Sequence, residues 1–357
     1  MKKIILTGGG TAGHVTPNIA LLPELKKEGY EILYIGSYTG IEKDLLEAEN
    51  IPYQGIATGK FRRYLSLKNI TDPFRVIKGF FQAKKIVRDF KPDAVFSKGG
   101  FVSVPVVWAA RSFSRKLPIV IHESDMTPGL ANKLCFKKAN KICCNFPETL
   151  SYLPENKAVL SGSPIRRELL CGSAEEGFRF TGLDPKKPVL LMVGGSLGSA
   201  VINQCLRSIL NDLSDKGIQV VHLCGKGKTD SGIDREGYVQ YEYIREQMKD
   251  LFAMSDVVLS RAGANAICEL LELNKPNILV PLSAAVSRGD QVLNAESYRK
   301  QGFSYVLEEE SMTPESLLNA ITEVFAQKEK YRATMAENHS VNGVTIVMNT
   351  LKELTEN

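Results

Sequence analysis

Glycine-rich turns recur in this chain directly after short apolar runs, and each sets backbone N–H groups where an anion could be held. The first is Thr7-Gly8-Gly9-Gly10-Thr11-Ala12-Gly13-His14, between Ile4-Ile5-Leu6 and the helix-like Thr16-Pro17. Glycines admit a phosphate close to the backbone, and a following helix start adds partial positive charge on the same side. His14 closes that loop, and an imidazole, with an unperturbed pKa near neutrality, suits proton transfer beside a phosphate. The same design returns at Gly194-Gly195-Ser196-Leu197-Gly198-Ser199, after Leu190-Leu191-Met192-Val193. Four more polar stretches follow apolar runs: Lys98 to Ser103, His122-Glu123-Ser124-Asp125, Gly162-Ser163-Pro164-Ile165-Arg166, and Arg261 to Glu269. Arg261 suits either a ligand or pairing between loops, and Glu269, beside Leu270-Leu271, needs a hydrogen-bonding task to stand next to a core. His122 can act on a substrate or simply orient its own loop, whereas His222 reads as structural and His339 is uninformative.

Such loops require strands to carry them. Ile4–Leu6, Ile32–Ile35, Ala94–Ser97, Ile119–Ile121, Ile142–Cys144 and Val159–Leu160 alternate with amphipathic segments, the pattern of a parallel sheet covered by helices. Thr16 is positioned to cap the first helix, with Pro17 at its first turn and Ile19, Leu22 and Leu25 on one face. A stretch without periodicity from about Cys171 to Lys187 reads as a linker. Beyond it come a helix over Val201–Leu213 and strands at Val220–Leu223, Val257–Leu259 and Ile278–Val280. The chain of 357 residues, 43% hydrophobic, exceeds what one core organises, so two doubly wound α/β domains are expected. A final helix spans about Val344 to Leu354.

Gly8, Gly10 and Gly13 have the spacing of a dinucleotide-binding turn. That chemistry needs an acid at the end of the second strand, which here ends in Gly36-Ser37, with Glu31 at its start; an oxidoreductase is disfavoured. Seven scattered cysteines with no Cys-x-x-Cys pair fit reduced core thiols. No Asp-x-Asp motif is present, so neither a metal nor another cofactor is expected, and nothing points to nucleic acid. No apolar run reaches the roughly 18 residues that span a bilayer.

Taken in order, Gly8 to His14, Gly99-Gly100-Phe101-Val102-Ser103, His122-Glu123, Gly162 to Arg166, Gly194-Gly195-Ser196, Gly225-Lys226-Gly227 and Arg261 to Glu269 resemble the MurG family over nearly the whole chain. Those proteins are peripheral-membrane N-acetylglucosaminyltransferases of bacterial cell-wall synthesis. The resemblance implies a GT-B fold, two Rossmann-like domains facing across a cleft. Residues 1–163 would form the acceptor and membrane-facing domain, joined by a helix near 341–357, and residues 164–340 the donor domain. It also implies inverting transfer of GlcNAc from UDP-GlcNAc to the 4-hydroxyl of MurNAc on lipid I, giving lipid II. Carried over, Glu269 would accept from the ribose hydroxyls, Gly263 and Ala264 would offer backbone contacts, and Ser196 and Arg166 would meet the diphosphate. Ile244 backbone groups would read uracil, Gln291 would bind sugar hydroxyls, and Thr11, Ala12, Gly13, Asp125 and Arg261 would complete the donor contacts. The family often has Asn where this chain has Asp125, and a Gln pair where it has Asp290-Gln291.

Displacement at an anomeric carbon expels a diphosphate while a hydroxyl attacks from the opposite face, so it needs charge stabilisation and a base. Glycine loops and Arg166 suit the first need and His14 the second, with Glu123 and Asp125 as alternative proton acceptors. A UDP-sugar epimerase or hydrolase, or a non-catalytic nucleotide-sugar binder, is compatible with the same scaffold. Residues 60–91 hold ten basic and two acidic residues, thus +8 in a chain that nets +5. Phe61, Tyr64, Leu65, Phe74, Val76, Ile77, Phe80 and Phe81 stand among those charges, a mixture suited to an anionic membrane surface at the cytoplasmic face. The same window also suits an ordinary helix with its apolar face in the core.

Overall fold

Successive residues of a strand point to opposite faces of its sheet, and a strand apolar on both faces must be covered on both. The computed structural model describes residues 2–59, 68–195, 198–285, 287–337 and 342–356, with 68–73 as backbone only. It divides into two units, Met1–Arg166 with Val341–Asn357, and Arg167–Ser340.

The first unit holds seven strands: β1 (Lys3–Thr7), β2 (Glu31–Ser37), β3 (Tyr53–Ile56), β4 (Ala94–Ser97), β5 (Ile119–Glu123), β6 (Lys141–Cys144) and β7 (Ala158–Leu160). They pair in parallel in the order β3-β2-β1-β4-β5-β6-β7. Ile4 and Leu6 join Ile19, Leu22 and Leu25 on one face, while Ile5 joins Val95, Val104 and Val107 on the other. The Gly343–Glu356 helix completes the first of these cores with Val344, Val347, Met348 and Leu351, packed against the Thr16–Lys27 helix.

The second unit holds β8 (Val189–Val193), β9 (Gln219–Leu223), β10 (Tyr238–Tyr241), β11 (Val257–Ser260), β12 (Asn277–Leu279) and β13 (Tyr305–Val306). These also pair in parallel, in the order β10-β9-β8-β11-β12-β13. Leu190, Met192 and Leu259 pack there against Ile202, Leu206 and Ile321.

Several expectations are corrected. β3, β10 and β13 escaped the sequence pattern because all three are sheet edges, where a strand need not be apolar on both faces. Thr16 is the first residue of its helix rather than its cap; Val15 takes that place, since a 3-10 turn over Ala12–His14 leads straight into the helix. The stretch read as a linker carries a helix, Ala174–Thr181, capped by Ser173 and stopped by Gly182 at φ 72°. Asp250 Oδ1 accepts from Ser173 N at 2.8 Å, which fastens the segment to the second unit. The helix expected over Val201–Leu213 is two, Ala200–Ser208 and Leu210–Asp215.

Candidate active site

Parallel sheets place ligand sites beyond the carboxyl ends of their strands, and in the first unit the loops after β1, β4, β5 and β7 are among those that emerge there. The first two abut through their backbones: a Cβ on Gly100 would lie 2.3 Å from the Gly9 carbonyl oxygen. Thr11 is exposed, and Ala12, Gly13 and His14 form the half-exposed 3-10 turn. His14 Nδ1 sits 3.1 Å from the Gly9 carbonyl oxygen and 3.2 Å from Thr11 Oγ1. A carbonyl can only accept, so Nδ1 carries a proton, and the neutral form of the ring has its lone pair at Nε2. Beneath the loop, the Tyr34 hydroxyl donates to the Gly8 carbonyl at 2.8 Å, and Asn18 Nδ2 donates to the His14 carbonyl at 3.1 Å.

Lys98 opens one of the polar stretches singled out in the sequence, which gave it no role of its own. Its ammonium is buried among the loops of β4 and β5 and donates to His122 Nδ1 and Ser124 Oγ, both at 2.7 Å. His122 is fully buried, and its Nε2–H points to the Gly162 carbonyl at 2.9 Å. Burial, followed by the Lys98 charge, holds the His122 pKa well below the usual imidazole value. His122 therefore stays neutral and ties the β5 loop to the Gly162–Arg166 loop, the orienting role rather than the catalytic one.

Glu123 is a buried hub. One carboxylate oxygen accepts from Ser124 N at 2.9 Å and Asp125 N at 3.1 Å, the other from Gly129 N at 3.0 Å and Asn132 Nδ2 at 2.9 Å. With four donors on two oxygens it holds the loop that presents half-exposed Asp125 and is not a proton acceptor for a substrate. Arg166 is half-buried at the end of this unit, and its Nε makes no hydrogen bond.

The acid absent from the end of β2 in the sequence arrives from the next helix. Glu42, fully buried, accepts from Ser37 N at 3.0 Å and Ser37 Oγ at 2.5 Å.

In the second unit the loops of β8, β9, β10, β11 and β12 stand together at the carboxyl ends. Ser196 lies outside the described residues, but Ser199, three residues on in the sequence, caps the Ala200–Ser208 helix, its Oγ accepting from Ile202 N at 3.3 Å. Arg261 reaches that cap, donating to Ser199 Oγ at 2.7 Å, and pairs with Glu309 and the Val280 carbonyl. It is thus a clasp between loops. Gly263 precedes the Ala264–Glu272 helix, which starts without a side-chain cap. On that helix Ile267, Cys268 and Leu270 are buried while Asn265, Ala266 and Glu269 share a half-exposed face. Ile244 is half-buried in the loop after β10, which Glu242 anchors by accepting from Gly227 N at 2.9 Å. Gln291 accepts from Leu282 N at 3.0 Å, and Asp290 is paired with Arg288. His222 is structural, hydrogen-bonded to Tyr238 and Asn203, and burial lowers its pKa to about 3. His339 lies outside the described residues.

The expected donor contacts thus fall into two groups: Thr11, Ala12, Gly13, Asp125 and Arg166 in the first unit, and Ile244, Arg261, Gly263, Ala264, Glu269 and Gln291 in the second. Residues 4–144 match the glycosyltransferase family 28 N-terminal domain and residues 189–351 the family's C-terminal domain. The chain is 61% identical over 354 residues to a UDP-N-acetylglucosamine–N-acetylmuramyl-(pentapeptide) pyrophosphoryl-undecaprenol N-acetylglucosamine transferase of Lachnospira eligens, covering 99% of each. The crystal structure of Acinetobacter baumannii MurG superposes with a TM-score of 0.77 at 26% identity, over 99% of this chain and 100% of that one. A glycosyltransferase of kitacinnamycin, at 13% identity and a TM-score of 0.74 over 99% and 98% of the two chains, shares the fold alone. By both its domains and its full length, the chain belongs to glycosyltransferase family 28 and, within it, to the MurG family.

Proposed function

We propose that this chain transfers GlcNAc from UDP-GlcNAc to the 4-hydroxyl of the MurNAc unit of undecaprenyl-pyrophosphoryl-MurNAc-pentapeptide, lipid I, with inversion at the anomeric carbon. The full-length relationship to transferases of that name carries the reading. The half-exposed Asn265/Ala266/Glu269 face supports nucleotide binding in the second unit, Glu269 accepting from the ribose. His14 serves as general base: its Nδ1–H is committed to the Gly9 carbonyl, so Nε2 is the nitrogen that takes the acceptor's proton. Arg166 and the glycine loops stabilise the departing diphosphate. Arg261 and Gln291 support the donor loops through Ser199 and Leu282.

The acceptor is lipid-borne, and the enzyme meets it on the anionic cytoplasmic surface of the membrane. No described helix is long and apolar enough to cross a bilayer. The Lys68–Phe90 helix leaves Phe74 71%, Ile77 54% and Phe81 61% exposed, among Arg75, Lys78, Lys84 and Lys85. Such a face inserts rings at the headgroup boundary while cations meet lipid phosphates. Next to it, a groove of about 1010 Å³ lined by Phe80, Trp108, Arg111, Arg115, Lys137 and Lys138 extends the same chemistry. Lys60, Arg62, Arg63, Phe61, Tyr64 and Leu65 of the expected patch lie outside the described residues.

Incubation with UDP-GlcNAc and a short-chain lipid I analogue tests the activity. Disaccharide-linked product and UDP are expected; free GlcNAc or an epimer would identify a hydrolase or epimerase, and neither product a binding protein.

A further inference from the structure

The first glycine loop has a buried carboxylate behind it that the reaction itself does not call for. Glu42 Oε2 accepts from the Gly10 N–H at 3.3 Å, and His14 Nδ1 donates to the Gly9 carbonyl at 3.1 Å. That N–H and that carbonyl belong to one peptide group. The order is therefore carboxylate, peptide N–H, peptide C=O, imidazole Nδ1–H, a chain that ends on the ring nitrogen opposite Nε2.

We propose that Glu42 is a positioning residue for His14, acting through the Gly9–Gly10 peptide as the acid of a catalytic triad acts on its histidine directly. The inference rests on the reading of His14 as general base. An anion accepting from the N–H end of a peptide polarises its carbonyl and strengthens the bond that the carbonyl accepts. The stronger acceptor holds the Nδ1–H tautomer and raises the proton affinity of Nε2, the logic by which a buried carboxylate orients a catalytic imidazole.

The local sequence is built to admit this carboxylate. A Cβ on Gly9 would lie 2.6 Å from Glu42 Oε1, and one on Gly40 would lie 2.1 Å from Oε2, so both must be glycine for the side chain to fold back against the loop. Ser37 grips Oε1 through both its N–H and its hydroxyl, which turns Oε2 toward Gly10. Glu42 stands in the first turn of the Ile41–Ala48 helix, where a negative charge is favoured.

The test uses the full chain. In the wild type, ¹⁵N shifts of the His14 ring above its pKa should report the Nδ1–H tautomer; a ring protonated at Nε2 overturns the proposal without any variant. Glu42→Gln should lower kcat by at least tenfold, leave KM for UDP-GlcNAc within about twofold and mix the His14 tautomers. Ser37→Ala, which keeps the carboxylate but loosens it, should lower kcat at least threefold and decides the matter if Glu42→Gln does not fold. Unchanged kcat and tautomer in the variants overturns the role of Glu42, whereas wild-type turnover in His14→Ala overturns the reading of His14 on which it rests.

Discussion

Glu123→Gln isolates the buried hub of the β5 loop. The amide can keep one oxygen toward Ser124 N and Asp125 N, but its nitrogen then faces two donors, Gly129 N at 3.0 Å and Asn132 Nδ2 at 2.9 Å. Turning Asn132 over to offer its oxygen does not help, because its nitrogen also donates to the His122 carbonyl at 3.1 Å. Two buried donors are therefore displaced, at about 1–3 kcal/mol each. Part of this is offset, because burial, with a contribution from the Asp125 charge, raises the Glu123 pKa above the ordinary carboxylate value. The net expectation is a loss of about 2 kcal/mol, or about 4–8 °C in the melting temperature of the first unit. The pH dependence has a defined sign. A raised native pKa means that the folded state binds the proton more tightly, so wild-type stability declines as pH climbs from the ordinary carboxylate range through the raised value; the glutamine variant lacks that slope. Differential scanning calorimetry across that range, with UDP titration as a control on the second unit, measures both effects. A variant that melts within about a degree of wild type at neutral pH, with an unaltered pH slope, would refute the hub; the expected Tm change is the one worked above.

Two further outcomes follow from the proposed function. Glu269→Ala should weaken UDP by about 1.5–3 kcal/mol, the worth of charge-assisted hydrogen bonds, and weaken 2′,3′-dideoxy-UDP far less; equal losses by calorimetry would remove Glu269 from the ribose. Changing Arg62, Arg63, Lys84 and Lys85 to Gln should reduce sedimentation with anionic vesicles by up to about 1 kcal/mol per charge, and wild-type binding should weaken with salt. Binding indifferent to salt, lipid charge and these substitutions would place the membrane contact elsewhere.

The apolar runs made the sheets legible because a central parallel strand must be hydrophobic on both faces, as Ile4-Ile5-Leu6 and Leu190-Leu191-Met192 are. The same rule hid β3, whose Tyr53-Gln54-Gly55-Ile56 lies at an edge. The glycine loops stood out in the sequence because backbones meet there: a Cβ on Gly100 would lie 2.3 Å from the Gly9 carbonyl oxygen. What could not be read were the side chains that reach the loops across long sequence distances. Glu42 meets Gly10 from 32 residues away and Lys98 meets His122 from 24 away, and no local pattern encodes either contact. Arg261 was open between ligand and clasp, and the clasp depends on Ser199 and Glu309, each more than 40 residues distant.

The Gly343–Glu356 helix belongs to the first unit although it is synthesised after the second. At ribosomal rates of about 5–20 residues per second, the roughly 180 residues separating it from the body of that unit take on the order of ten to forty seconds to make. During that interval the groove awaiting Val344, Val347, Met348 and Leu351 faces water, a gross deficit of about 1.5–3 kcal/mol for each of these side chains. The second unit, contiguous in sequence, carries no such debt. The half of the molecule made first is therefore the half that matures last, and a nascent chain spends that time with an unfinished apolar face beside its first helix.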